Sequence, residues 1–214
     1  METPEEIKPN TSQATKIRVR LATEDLWQKF SAQNTEMVVT KNGRKMFPKL
    51  EYLIDGMEEE TFYLLTIKMA LVDNFRYKFQ SGEWIRSGRA DTGFEEKEVL
   101  HSDGPMVGAY WMRAPINFEN VKITNNPADR NPKHLYLLSM HKFVPVLTIY
   151  KMPPKEDGIK FGQVDQRDQL AIRLPITEFI AVTAYQNQTI TNLKIKHNPF
   201  AKGFRDGTAG PPKR

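Results

Sequence analysis

No cysteine occurs anywhere in the 214 residues. Disulfide scaffolding and thiolate metal sites are thereby excluded, and a reducing compartment is the natural setting. Histidine is scarce: His101, His134, His141 and His197 stand far apart, and none forms an HExxH or HxH arrangement. No GxSxG elbow, phosphate-binding loop or dinucleotide fingerprint is present. Acidic runs such as Glu58, Glu59 and Glu60 read as a solvated face. The longest apolar run, "TFYLLTIKMALV" (61–72), contains Lys68 and is too short to span a bilayer. The opening sixteen residues, "METPEEIKPNTSQATK", lack an apolar stretch and read as a loose leader, not a secretory signal. These absences nominate no enzyme, cofactor, metal or membrane partner. They predict a soluble intracellular protein.

What is present is a distribution of charge. The net formal charge is +5. From Gln186 onward, Lys194, Lys196, Lys202, Arg205, Lys213 and Arg214 face only Asp206, so the rest of the chain is balanced. Localised positive charge suits a polyanion, since each neutralised phosphate releases counterions. The same feature also fits a solvated basic tail.

The patterning is that of a β protein. A helix is predicted after Thr23 as N-cap, with Glu24 and Asp25 in its first turn and Leu26, Trp27 and Phe30 on one face. "EMVVT" (36–40) and "MFPKLEYLI" (46–54) flank Asn42-Gly43, which predicts a hairpin with Arg44 and Lys45 raised at its tip. The run 61–72 is apolar at both parities, as in a strand covered on two faces. "GEWIR" (82–86), "YWMR" (110–113), "FENVKIT" (118–124), "LYLLSMHKF" (135–143), "VLTIYK" (146–151) and "EFIAVTAY" (178–185) read as further strands between Pro- and Gly-marked loops. Arg76 and Lys78 are placed among the turn-tip cations. One mainly β domain follows, an antiparallel sandwich or barrel.

The C-terminal segment departs from this pattern. Asn187 can cap a short helix, "QTITNLKIK", with Ile190 and Leu193 inward, and Asn198-Pro199 can open a second, very short turn. The β-branched content of the first helix disfavours it, so packing or a ligand must hold it. With little chain left to cover them, both helices are expected to order on a polyanion. Phe200 and Phe204, four apart, would project from one side, with Lys202 and Arg205 beside them. The rings could close over the protein's own core. Alternatively, they could enter a minor groove, where apolar wedges meet base edges while cations hold phosphates.

At these residues the chain resembles a known family. "AVTAYQNQTITNLKIKHNPFAKGF" is similar to the C-terminal signature of T-box DNA-binding domains. "LWQKFSAQNTEMVVTKNGRKMFP", "DNFRYKF", "WMRAPINFENVKITN" and "MHKFVPVLTIY" follow that family's order, so the likeness runs from about Ile17 to Asp206. The resemblance implies an immunoglobulin-like antiparallel β-sandwich with short C-terminal helices over 17–206. Residues 1–16 are then a flexible leader, and 207–214 a flexible basic tail that could belong to a nuclear import signal.

It also implies a nuclear transcription factor that binds double-stranded DNA at a GGTGTGA-like half-site, without catalysis. Arg44 corresponds to the arginine that reads guanine in the major groove. Thr191 and Lys194 correspond to positions near the DNA backbone, and Lys122 and Thr183 to further contacts. Asn198, Pro199, Phe200 and Phe204 match the turn that enters the minor groove, with Lys202 beside a phosphate. A homodimer on paired half-sites, other transcription factors and corepressors are compatible partners. Two departures stand out: Val146 follows Pro145 where the family often has arginine, and Lys45 replaces an arginine, keeping charge but losing the planar fork. A β-sandwich that binds protein through a sheet edge, and a hydrolase with spatially assembled carboxylates, are the rival readings.

Overall fold

Two long strands organise the molecule. The computed structural model describes residues 17–152 and 169–204, with side chains as far as Ala201. In chain order its strands are β1 (Arg18–Leu21), β2 (Glu36–Val38), β3 (Glu51–Asp55), β4 (Phe62–Gln80), β5 (Glu83–Arg89), β6 (Val99–Leu100) and β7 (Met106–Val107). There follow β8 (Ile116–Asn117), β9 (Lys122–Thr124), β10 (His134–Tyr136), β11 (His141–Lys151), β12 (Gln169–Arg173) and β13 (Phe179–Val182). The α-helices are α1 (Glu24–Ser31), α2 (Gly108–Met112) and α3 (Gln188–His197), with 3-10 turns at Pro175–Thr177 and Pro199–Phe204.

β4 and β11 pair antiparallel from Tyr63 with Lys151 to Arg76 with His141. Each borrows short strands along its outer edge: β7, β6 and β5 on β4, and β13 then β12 on β11. Pro145, which has no N–H to give, falls between the last β13 partner, Phe143, and the first β12 partner, Val146. A second sheet, β1-β3-β8, faces the large one across a shared apolar core. Tyr52 and Ile54 of the small sheet and Leu65, Ile67, Leu147 and Ile149 of the large one are all nearly inaccessible. The sandwich expected from the strand count is the one observed.

The apolar run at 61–72 is buried on both faces, but the strand does not stop there. It continues to Gln80 with alternating exposure and forms a ribbon with β5. Arg76 and Lys78 therefore lie within a strand and not at a turn tip, and Arg76 pairs with Asp91 at 2.7 Å.

Two local expectations are corrected by contacts between distant segments. The arms flanking Asn42-Gly43 do not pair with each other: β2 runs parallel to β13, and β3 lies between β1 and β8. "YWMR" is not a strand but part of α2, because the Trp111 indole turns inward and donates to the Tyr63 and Met106 carbonyls. Gly108 opens that helix against the Glu58 carbonyl, where a Cβ would overlap. Thr23 stands at the N-cap of α1 as expected, without a side-chain cap bond, and Trp27 and Phe30, both fully buried, hold the helix.

Candidate nucleic-acid interface

At one end of the sandwich, a tight turn and a terminal helix come together. The turn closes with the Gly43 N–H on the Thr40 carbonyl at 3.1 Å. Gly43 has φ of +73°, and a Cβ there would stand 2.8 Å from the His134 ring. His134 itself is fixed by Asp129 at 2.7 Å, and its carbonyl accepts from Lys97 at 2.9 Å. Directly after the turn, Arg44 exchanges both backbone hydrogen bonds with Ile123 of β9, each 2.9 Å long. The main chain is thus pinned to a sheet, while the Arg44 and Lys45 side chains are exposed. The next residue of that bridge's neighbourhood is Lys122, half-exposed on β9.

Thr183 leaves β13 immediately after Val182, whose carbonyl accepts from Val39 at 2.9 Å, and its side chain is exposed at the same end. Five residues later α3 begins. Asn187 caps it as expected: its side chain accepts from the Thr189 N–H at 2.9 Å. The Gln186 and Asn187 N–H groups donate to the Glu36 carboxylate at 2.8 and 2.9 Å, and Trp84 donates to it at 3.0 Å. Burial raises the Glu36 carboxyl above its ordinary pKa, while these donors and Lys194 pull it back. Glu36 was not singled out from sequence; it heads "EMVV", and nothing local reveals three distant donors.

α3 has the covering layer that its composition left in question. Ile190 and Lys194, four apart, form its buried face, and Leu193 is only half-buried. Thr191 is half-buried, its hydroxyl turned to the Asn187 carbonyl at 3.4 Å. Lys194, expected near the DNA backbone, is turned inward here. The residue is 5 % exposed, and its ammonium points inward toward Phe30, Phe47 and Tyr185. Burial, reinforced by nearby Arg44 and opposed by Glu36, pushes it down to about 7.

Beyond the helix, Asn198 serves both sides of a joint. Its N–H donates to the Lys194 carbonyl at 2.8 Å, and its side-chain oxygen accepts from the Phe200 N–H at 3.0 Å. The Pro199–Phe204 turn is 3-10 with a kink at Ala201. The side chains of Lys202 and Phe204 lie outside the described residues. Phe200 does not: its ring is 85 % exposed, far beyond any other large apolar side chain among the described residues. The core-closing alternative does not hold for this ring. Arg44 and Lys45 share with Asn198, Pro199 and Phe200 the lining of one open cavity of about 420 Å³. Its apolar floor includes Met46 and Phe118, and Lys49 pairs with Glu119 at its edge.

Of the predicted contacts, Arg44, Asn198, Pro199 and Phe200 share one cavity lining; Lys122 stands beside the Arg44 bridge to Ile123, Thr183 follows β13, Thr191 lies on α3, and Lys194 is buried. Val146, the departure noted above, is buried with Ala70 and Val144, so no cation is offered there. Among the described residues no group of His, Asp or Glu could hold a metal, and no helix is long and apolar enough to cross a membrane.

The chain is thus a β-sandwich whose rim presents loop cations beside an exposed aromatic turn. The chain belongs to the T-box family, whose model matches residues 19–206. It is 47 % identical over 192 residues to T-box transcription factor tbx-9 of Caenorhabditis elegans, covering 90 % of this chain and 65 % of that protein. Against T-box brain protein 1 of Mus musculus it is 43 % identical over 194 residues, covering 89 % of this chain and 28 % of the other. Against Eomesodermin of Xenopus laevis it is 40 % identical over 201 residues, covering 92 % and 29 %. The chain thus spans under two-thirds of the nematode relative and under a third of the two vertebrate ones.

Proposed function

We propose that residues 17–206 form a sequence-specific double-stranded DNA-binding domain that recognises a GGTGTGA-like half-site and regulates RNA polymerase II transcription in the nucleus. Arg44 reads guanine in the major groove with its planar fork. The turn carrying Asn198, Pro199, Phe200 and Phe204 lays its rings in the minor groove. Lys122, Thr183, Thr191 and Lys202 hold backbone and sugars, which fixes register but carries no sequence information. A homodimer on paired half-sites and contacts with other transcription factors or corepressors follow the same reading.

One observation carries the proposal: the Phe200 ring is 85 % exposed beside the Arg44 cavity. A large ring left in water at the edge of a cationic surface has most of its apolar area free for a ligand. The decisive experiment is selection from a randomised duplex pool at two salt concentrations. Enrichment of a GGTGTGA-like element, with affinity falling steeply as salt rises, supports the reading. No enrichment, with affinity insensitive to salt, refutes it and favours a protein-binding sandwich.

A further inference from the structure

Lys194 is the only buried lysine or arginine among the described residues, and its surroundings are built for it. Its Nζ donates to the Phe47 carbonyl and lies 3.5 Å from the Met37 sulfur. The ring centroids of Phe30 and Tyr185 stand 5.4 Å away and that of Phe47 6.0 Å. Three electron-rich ring faces around one ammonium replace part of its lost hydration. These partners come from α1, β2, the segment after Gly43 and the chain leaving β13, so one side chain on α3 touches four separate pieces of the sandwich. The charged or titratable groups facing it are Glu36 from β2, Arg44 from the turn and Tyr185.

The two ends of Lys194 point to its role. Its side chain is bonded to Phe47, three residues beyond Arg44; its own carbonyl accepts the Asn198 N–H at 2.8 Å, two residues before Phe200. The major-groove side chain and the minor-groove turn are therefore joined through a single residue. We propose that Lys194 is a positioning residue for DNA recognition, fixing the Asn198–Phe200 turn relative to Arg44 and remaining caged when a duplex is bound. The inference rests on the DNA-binding reading above and replaces a phosphate contact with a strut. Ammonium and neutral amine both donate to the Phe47 carbonyl, so the strut survives loss of the proton.

The test compares the wild-type protein with Lys194→Met, an unbranched apolar replacement suited to the same ring cage, on a GGTGTGA duplex and a scrambled duplex over a salt series. The expected result is a loss of about tenfold or more on the half-site, the scale of one lost base contact. Scrambled binding and the salt slope should be unchanged. Equal weakening on both duplexes, with the slope reduced by about one, marks a phosphate ligand and overturns the proposal. Unchanged binding on both also overturns it.

Should Lys194→Met fail to fold, carbon-13 NMR of the wild-type Lys194 Cε, free and bound to the duplex, decides the matter. A titration midpoint that stays well below the ordinary lysine range in the complex upholds the cage. A return to that range overturns it. A wild-type protein with no preference between duplexes instead sinks the DNA-binding reading, and this inference with it; the wild-type arm alone reveals that case.

Discussion

Removing the Phe200 ring separates binding from folding more cleanly than any other single change. With 85 % of the residue exposed, Phe200→Ala strips away little that the folded chain has already buried. Fully burying a phenylalanine side chain stabilises by roughly 1.5–3 kcal/mol, so the covered fraction amounts to about 0.5 kcal/mol at most. For a domain of this size that corresponds to a shift of about 2 °C or less in Tm. The exposed remainder is what a minor groove would cover. Its loss should cost about 1–2.5 kcal/mol of binding, or roughly 5- to 70-fold in Kd. Fluorescence anisotropy on a half-site duplex gives the second number, and a thermal melt without DNA gives the first. A melt lowered by several degrees with affinity intact would refute the reasoning, since the ring would then serve the fold.

Three other outcomes are expected. Arg44→Ala should weaken the preferred duplex by roughly 1–3 kcal/mol and relax selection at one base pair, read from a panel of single-base variants. The melt should hold, because the Arg44 main-chain bonds to Ile123 persist; uniform loss on every sequence would count against base reading. Glu36→Gln leaves at least one of the Trp84, Gln186 and Asn187 donors without an acceptor and should cost about 1–3 kcal/mol in urea denaturation. Faster amide exchange across α3 should accompany it, and unchanged stability would show that the carboxylate does not hold the helix. Lys194 should couple stability to pH. Because burial holds it near 7, the unfolded chain carries a proton above that pH that the fold does not. Stability therefore rises from about pH 7 toward the ordinary lysine range, by up to roughly tenfold in the unfolding constant per pH unit. Lys194→Met should lack this slope; parallel curves for the two proteins would contradict it.

What was legible in the sequence was mostly what is decided locally. The apolar parity of 61–72 announced a doubly covered strand, and Asn187 announced a helix N-terminus, because strand faces and caps depend on neighbouring residues. The turn at Gly43 was legible too, but not its partners. A hairpin requires the flanking arms to meet, and here β13 and β9 claim those edges from roughly 80 residues away or more. Trp111 overrode the strand reading of its segment, since an indole seeking two carbonyl acceptors outweighs weak local preference. The interface was half legible. Arg44, Asn198 and Phe200 could be placed by motif and turn chemistry. Lys194 could not, because a lysine in a basic segment gives no sign that four elements close over it.

The packing of Gly43 on His134 restricts how this protein can be redesigned. Every L-amino acid other than glycine at 43 meets both an unfavourable backbone angle and an imidazole already in place. Variation of this loop therefore falls on Lys41, Asn42 and the two following cations, and that one site stays constant.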